Sequence, residues 1–209
     1  MKPRLPVVLA TGNAGKVREF DRLFAGAFEV LPMPAGVRLP VETGLTFAEN
    51  ARLKAQTVFE ALGCAQAVVA DDSGLEVTAL GGRPGIYSAR FAGEGATDAE
   101  NVARLLAELD GAADRSAQFV CAVCLLLPGG AGTGDERAAC ETVQVEGTTK
   151  GAITPEPRGL DGFGYDPVFL PVGWELTLAE ASPAGKDSVS HRGAAARALV
   201  ERLRALETA

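Results

Sequence analysis

The sequence is poor in several residue types on which common functions depend. Its 209 residues include one histidine, one tryptophan and four cysteines. They also include 20 Lys and Arg and 27 Asp and Glu. The net charge of −7 argues against a broad nucleic-acid surface, which needs an excess of basic side chains. Apolar stretches such as residues 122–127 are far shorter than the ~20 residues of a membrane span. We therefore expect neither a nucleic-acid polymer nor a membrane among its partners.

The few cysteines exclude a disulfide framework in a chain of this length. Cys121 and Cys124 have the C-x-x-C spacing of zinc and redox sites, but they lie in an apolar segment typical of a buried strand. Residues three apart on a strand point to opposite faces, which does not suit two sulfur ligands of one ion. We assign both to the core. Residues 1–6 are not followed by an apolar signal-peptide core, so we expect a cytoplasmic protein.

What the sequence does contain is typical of an ordinary globular protein, with 47% hydrophobic and 22% charged residues. The length fits one domain, or one domain with two lobes. One stretch stands out: a short apolar run, residues 67–70, is followed by Asp71 and Asp72. We expect one buried strand that ends at the two carboxylates.

The Asp pair has two interpretations. Ligands of open α/β sheets bind beyond the carboxyl ends of strands, and one or two carboxylates suit Mg²⁺. Alternatively, Asp72-Ser73-Gly74 is ordinary turn chemistry, and the carboxylates only begin a turn.

A second stretch, Thr11 to Lys16, lies between a predicted strand (residues 5–10) and a predicted helix whose apolar face begins with Val17 and Phe20. Such a turn directs backbone N–H groups and the helix N-terminus toward an anion, and Lys16 adds a full charge. It is equally typical of a plain strand-to-helix connection in which glycine supplies a positive φ.

Further along, Thr46 and Glu49 match the capping box of a helix that ends near Gly63. Glu42, just before this helix, is either a solvated loop acid or a second metal carboxylate. Lys54, within it, is either a surface charge or a phosphate ligand.

Periodicity and turn residues outline the middle of the chain. Residues 75–80 resume an extended pattern, and Thr97 with Glu100 forms a second capping box before a strongly amphipathic helix. Residues 116–127 and 139–146 are predicted strands, and the glycine-rich stretch 128–135 between them is predicted to be an exposed hairpin loop.

Two stretches near the C-terminus contain unusual polar and aromatic residues. Phe163, between two glycines, either offers a ring face to a planar base or packs its loop onto the core. Ser190 is the predicted N-cap of the last helix, which places His191 and Arg192 in a first turn where the helix dipole disfavours cations. Such a placement favours a functional role, although a lone histidine is more often structural.

These stretches together resemble one family, the Ham1-like inosine triphosphate pyrophosphatases. The matching segments are LATGNAGKVREF, ETGLTFAENARLKA, DDSGLEV, GGRPGIYSAR, GFGYDPVF and a terminal Lys followed by SHR. The resemblance implies an α/β fold with a long mixed central sheet flanked by helices, and two lobes with an active-site cleft between them. It also implies one catalytic domain over residues 1–209, a homodimer, and Mg²⁺-dependent hydrolysis of ITP, dITP or XTP to the monophosphate and pyrophosphate.

The resemblance also assigns roles to individual residues. Asp72 corresponds to the catalytic acidic residue at the metal, and Asp71 and Glu42 are candidate further metal ligands from the analysis above. The candidate substrate-binding residues, from the resemblance together with the analysis above, are Thr11, Gly12, Asn13, Ala14, Gly15, Lys16, Lys54, Ser73, Phe163, Gly164, Tyr165, Asp166, Lys186, His191 and Arg192. The sequence departs from the family at Val41, where an acidic residue is frequent, and this puts the role of Glu42 in question.

Base selectivity can be expected from hydrogen-bond donors. Hypoxanthine and xanthine have a carbonyl at C6 where adenine has an amino group, and Arg192 or His191 would donate to that oxygen. Two alternative functions remain: a Maf-like pyrophosphatase for pyrimidine or modified nucleotides, and a nucleotide-binding module without catalysis.

Overall fold

A computed structural model of the protein describes residues 4–129 and 140–207. Eleven principal elements follow one another in these residues. They are β1 (Leu5–Leu9), α1 (Ala14–Phe24), β2 (Phe28–Pro32), α2 (Phe47–Ala61), β3 (Ala67–Val77), α3 (Asp98–Glu108), β4 (Ser116–Leu127), β5 (Glu141–Ile153), β6 (Phe169–Pro171), α4 (Pro183–Val189) and α5 (His191–Glu207).

The strands form one six-stranded sheet in the order β2-β1-β3-β4-β5-β6. β1 is parallel to both β2 and β3, whereas β5 and β6 are antiparallel. The predicted mixed sheet with helices around it is therefore confirmed. No helix of the described ranges has both the length and the apolar character needed to cross a membrane.

The strand that contains the two aspartates differs from the prediction. β3 does not end at Asp71 but continues through the Asp pair to Val77. Gly74 has no positive φ that would turn the chain, so the pair does not begin a turn either. The extended pattern predicted from Leu75 to Leu80 is instead the end of β3 followed by a short 3₁₀ helix, Thr78–Leu80.

The first helix is nearly as predicted. Phe20 and Phe24 are fully buried, and the Phe24 ring centroid lies 5.1 Å from that of Phe20 and 4.8 Å from that of Phe28. Val17, predicted on the same apolar face, is instead 36% exposed, because the first turn of α1 is mostly open to solvent.

The remaining helices follow their cap signals. Thr46 and Thr97 are the N-caps of α2 and α3, and only at α3 are both halves of the capping box present. At α2 the Glu49 carboxylate accepts from the N–H of Leu45, one residue before the cap. Ser190 Oγ accepts from the N–H of Gly193, as predicted for the cap of α5.

The predictions for the two central strands are confirmed with one change of length. β4 has the predicted bounds, and both Cys121 and Cys124 lie in it, fully buried. β5 begins at Glu141, whereas the predicted start at residue 139 lies outside the described residues, and it continues seven residues past the predicted Glu146, to Ile153. The predicted hairpin loop from 128 to 135 lies outside the described residues from position 130 onward.

The residues group into two compact units. Among the described residues, the first unit comprises 4–72, 122–129, 140–146 and 195–207, and the second comprises 73–121 and 147–194. The core of the second unit combines β3, α3 and β4 residues such as Leu75, Leu105 and Phe119 with Phe169. The proposal of one catalytic domain over residues 1–209 stays a prediction.

Candidate functional site

The turn between β1 and α1 is built by Asn13. Its side-chain oxygen accepts hydrogen bonds from the N–H groups of Gly15 (2.8 Å) and Lys16 (3.1 Å), so Asn13 is the N-cap of α1. Thr11 Oγ1 in turn accepts from the Asn13 N–H at 3.1 Å. Neither Gly12 nor Gly15 has a positive φ, so the turn does not need glycine for its backbone conformation.

The parallel register of β1 and β3 brings this turn to the Asp pair. Leu9 lies opposite Val69, so the chain leaves β1 beside the segment of β3 that leads to Asp71. The Lys16 ammonium contacts the Asp71 carboxylate at 2.7 Å, and Asp71 is 1% exposed. Lys16 is thus held at the start of α1 by a buried carboxylate.

Asp72 has a different lysine partner, because consecutive residues on a strand point to opposite faces. Lys54 Nζ, on α2, lies 2.8 Å from Asp72 Oδ1 and 3.0 Å from Glu42 Oε1. Only 6% of the Lys54 side chain is exposed. Two carboxylates therefore contact one buried ammonium group. Glu42 belongs to the site, whereas the neighbouring Val41 is 81% exposed.

Burial and charge shift the pKa values of this pair. Burial raises the pKa of Asp72 and outweighs the attraction of Lys54, and the neighbouring charge of Glu42 raises it further. Burial lowers the pKa of Lys54, but the charges of Asp71, Asp72 and Glu42 outweigh it and raise the pKa of the ammonium. Lys54 is therefore a firmly charged cation, and Asp72 is a stronger base than an exposed aspartate.

Asn50 is a residue of this site that sequence reasoning missed. It is 1% exposed, its amide nitrogen donates to Asp72 Oδ2 at 3.2 Å, and its oxygen accepts from the Gly44 N–H at 2.8 Å. Asn50 and Lys54 are four residues apart and so share a face of α2. The available signal was an amide side chain one helical turn before Lys54, on the same face of the predicted helix.

These residues of the first unit form what we call the carboxylate–lysine cluster. Its members are Lys16, Glu42, Asn50, Lys54, Asp71 and Asp72. Among the described side chains, no group of three or more His, Cys, Asp or Glu is placed to hold a metal ion together. A cation bound here would have few protein ligands.

The second unit contains another cluster, centred on Phe163. The Asp166 carboxylate oxygen Oδ2 contacts Lys186 Nζ at 2.6 Å and accepts from the Phe163 N–H at 2.9 Å. Asp166 and Lys186 are 2% and 5% exposed. Lys186 lies on α4, which the sequence did not predict. Gly162 must be glycine, because a Cβ there would overlap Asp166 Oδ2 and its φ is +81°.

Two cations lie over the Phe163 ring. Lys186 Nζ is 5.0 Å and Arg192 Cζ is 4.8 Å from the ring centroid, both within cation–π range. Arg192 Nη2 also donates to Ser73 Oγ at 2.8 Å. We call Ser73, Phe163, Asp166, Lys186 and Arg192 the Phe163 cluster.

His191 and Tyr165 are held beside this cluster by core contacts. The His191 ring is buried and stacks on Phe119, with centroids 4.5 Å apart and planes 10° apart. Tyr165 donates its hydroxyl hydrogen to the Ser88 carbonyl at 2.8 Å. Ser88 belongs to the GGRPGIYSAR stretch, and its hydroxyl also accepts from the Leu75 N–H on β3. That stretch thus supports Tyr165.

Every predicted site residue lies in the described part of the chain, in one of the two units. The first unit holds the Thr11–Lys16 turn with Glu42, Lys54, Asp71 and Asp72, and the second holds Ser73, the Phe163–Asp166 segment, Lys186, His191 and Arg192. Glu42 and Asp72 contact the same ammonium group, that of Lys54, and Asp71 contacts Lys16. The roles of all these residues stay predictions.

Comparison with known proteins gives consistent matches over nearly the whole chain. The model of the Ham1 family matches residues 7–202. The chain is 46% identical to a dITP/XTP pyrophosphatase of Bacillus licheniformis, covering 92% of this chain and 95% of that one. It is 47% identical to a protein of the same name from Geobacillus kaustophilus, covering 93% and 92%.

Solved structures agree. The Ham1 protein of Staphylococcus aureus superposes with a TM-score of 0.78 at 39% identity, covering 96% of this chain and 98% of the other. A HAM1 protein from Coxiella burnetii gives a TM-score of 0.81 at 38% identity, with the same coverage. Family model, relatives and structures all lead to one conclusion: the chain belongs to the Ham1 family.

Proposed function

We propose that the protein hydrolyses non-standard purine nucleoside triphosphates, namely ITP, dITP and XTP, to the nucleoside monophosphate and pyrophosphate. The observation that carries the proposal is the pair of carboxylates, Asp72 and Glu42, on the buried ammonium of Lys54. The names of the relatives point to the same reaction. Such hydrolysis would remove deaminated purines from the nucleotide pool.

A magnesium ion fits the carboxylate–lysine cluster. Mg²⁺ is bound by one or two carboxylates and by substrate phosphates, and Asp72 and Glu42 supply two carboxylates that already converge on one positive charge. Asp72 and Glu42 would hold the ion, whereas Asp71 forms an ion pair with Lys16. When bound, Mg²⁺ would supply positive charge beside the reacting phosphate and polarise its oxygens.

The protein's own residues would carry out the rest of the reaction. Asp72, which would also contact the ion, would accept the proton of the attacking water, with its carboxylate oriented by Lys54 and Asn50. The water oxygen forms a bond to the α-phosphorus, and the bond from that phosphorus to the bridging oxygen breaks, so that pyrophosphate leaves. Lys16 and Lys54 would offset the charge of the phosphates, since phosphoryl transfer depends mainly on positioning and charge stabilisation.

The Phe163 cluster would bind the base. A purine would stack on the Phe163 ring, and Arg192 would donate to the C6 carbonyl that distinguishes hypoxanthine and xanthine from adenine. Arg192 suits this task because its guanidinium is already positioned by the hydrogen bond to Ser73. Guanine shares the C6 carbonyl, so its exclusion depends on position 2 of the ring.

We further propose a cytoplasmic homodimer that acts on free nucleotides rather than on a nucleic acid. The net charge of −7 supports the last point, and the family resemblance supports the dimer. Light scattering of the purified protein tests the dimer, for which twice the monomer mass of 21.6 kDa is expected.

Pyrophosphate release from ITP, XTP, ATP, GTP and dTTP, each with Mg²⁺ and with EDTA, tests the function. We expect Mg²⁺-dependent release largely from ITP and XTP. Release from dTTP instead would favour a Maf-like specificity. ITP binding without release would make the protein a nucleotide-binding module. Mg²⁺ alone should also raise the melting temperature, and Glu42→Gln should reduce that increase.

A further inference from the structure

Two consecutive backbone N–H groups of the loop that contains Phe163 donate hydrogen bonds to carboxylates. The Phe163 N–H donates to Asp166 at 2.9 Å, and the Gly164 N–H donates to Asp98 Oδ2 at 2.7 Å. Asp166 is three residues away along the chain, whereas Asp98 is 66 residues away. Asp98 is the first residue of α3, so its carboxylate ties the loop to a separate helix of the second unit.

The loop needs such anchors because its backbone conformation has a high entropic cost. Gly162 and Gly164 have φ values of +81° and +61°, and glycine loses more conformational freedom on folding than any other residue. Gly162 packs closely against Asp166, but an added Cβ at Gly164 would meet no atom within 4 Å. The hydrogen bond to Asp98 therefore holds Gly164 where close packing does not.

The position of Gly164 determines where the Phe163 ring lies. Phe163 lies between the two glycines in the sequence. Its ring centroid is 5.0 Å from Lys186 Nζ and 4.8 Å from Arg192 Cζ. A rotation of the backbone at Gly164 would move the ring away from these two cations. Both belong to the group of residues to which we assign base recognition.

We propose that Asp98 is a positioning residue for base recognition: its carboxylate fixes Gly164 and thereby the Phe163 ring. The inference rests on the proposed function, in which that ring stacks on the purine. Asp98 itself does not contact the substrate in this proposal.

Asp98 also has a plain structural explanation, since an acid in the first turn stabilises a helix. That turn already has a complete capping box, however. Thr97 Oγ1 accepts from the Glu100 N–H, and Glu100 Oε2 accepts from the Thr97 N–H at 2.7 Å. Burial raises the pKa of Tyr165, and the charge of Asp98 adds to the shift, so the Asp98 carboxylate lies close to the base loop as well as to the helix.

Glu100 therefore provides a matched control: an acid in the same helical turn, with a capping role and no hydrogen bond to the loop. We expect Asp98→Ala to raise KM for ITP about tenfold, the worth of one charge-assisted hydrogen bond, with kcat nearly unchanged. Asp98→Asn, which keeps an acceptor oxygen, should restore most of the wild-type KM. Glu100→Ala should lower the melting temperature and leave KM unchanged.

Hydrogen exchange of the Gly164 amide, followed by NMR, measures the anchor without any substrate. The proposal requires faster exchange in Asp98→Ala than in the wild type or in Glu100→Ala. Unchanged exchange, or an unchanged KM in Asp98→Ala while Phe163→Ala raises it, would overturn the role of Asp98 and leave the proposed function standing. If the wild-type protein neither hydrolyses nor binds ITP, both the proposed function and the role of Asp98 in base recognition are overturned.

Discussion

The two clusters differ in the sign of their charge. In the carboxylate–lysine cluster, the three carboxylates of Asp71, Asp72 and Glu42 face two ammonium groups. The Phe163 cluster contains two cations, Lys186 and Arg192, and the single carboxylate of Asp166. The first cluster therefore has an excess of negative charge and suits an added cation. The second has an excess of positive charge beside an aromatic ring, and suits an electron-rich planar group.

This difference in charge supports the two roles proposed above, phosphate binding for the first cluster and base binding for the second. A metal ion balances both the carboxylates and the phosphates, so the triphosphate suits the first cluster. A purine with a C6 carbonyl suits a ring flanked by cations. Substitutions in the first cluster should then mainly affect turnover, and those in the second should mainly affect affinity and base preference.

The largest effect is expected from Asp72→Asn. The amide cannot take up the proton of the attacking water, so kcat should fall by roughly 10²- to 10⁴-fold. The change is nearly isosteric, and the asparagine oxygen still accepts from Lys54, so the fold should persist in circular dichroism spectra. Asp21→Asn, on the exposed side of α1, is the matched control and should leave kcat unchanged. Normal turnover by the Asp72 variant would remove this residue from the mechanism.

Phe163→Ala should produce the next largest change, in the second cluster. Loss of base stacking is worth about 1–3 kcal/mol, so KM for ITP should rise roughly 5- to 150-fold while kcat changes little. Phe163→Leu keeps the apolar volume and loses the aromatic face. Steady-state kinetics should give a raised KM for both variants if the ring stacks on the base. A normal KM for the leucine variant would instead indicate a plug that only packs its loop.

Arg192→Ala should alter base preference more than overall activity. Without the guanidinium donor, the ratio of kcat/KM for ITP to that for ATP should fall about tenfold, as expected for the loss of one charge-assisted hydrogen bond. Arg202→Ala removes an exposed arginine of the same helix and should leave the ratio unchanged. A ratio that stays constant in Arg192→Ala would show that selectivity lies elsewhere.

The sequence predicted the elements well where local signals agree. Caps and periodicity located α1, α2, α3 and α5, because side-chain capping and an apolar stripe act within a few residues. The sequence failed at β3, because two adjacent aspartates are locally typical of a turn. Lysines from two other elements, Lys16 and Lys54, satisfy the carboxylates and allow the strand to continue.

The same limit applies to the site. The residue types were predictable from the motifs, but the pairings were not, since they depend on register and packing between distant segments. Asn50 gave a weak signal as an amide one helical turn before Lys54, and Asp98 gave none beyond an ordinary helix start. Glu42 was left open between a loop acid and a metal ligand, and only the three-dimensional structure shows that it reaches the same ammonium as Asp72.

The smallest effect concerns pH, and it tests whether Glu42 and Asp72 act on each other. Burial raises the pKa of Asp72, and the charge of Glu42 raises it further, so in the metal-free protein this carboxylate takes up a proton at higher pH than an exposed aspartate. As pH falls through that raised value, the protein loses the ionised carboxylate that the proposed reaction requires. Glu42→Gln removes a neighbouring negative charge, so the pKa of Asp72 should fall.

The titration of Asp72 is best followed by NMR in the Mg²⁺-free protein, because a bound ion would itself lower the pKa of the carboxylate. Glu29→Gln is the matched control, because Glu29 is an exposed acid of the same unit. An unchanged Asp72 pKa in Glu42→Gln would mean that burial, and not the charge of Glu42, raises it. The raised pKa of Asp72 would then result from burial rather than from the excess of negative charge in the carboxylate–lysine cluster.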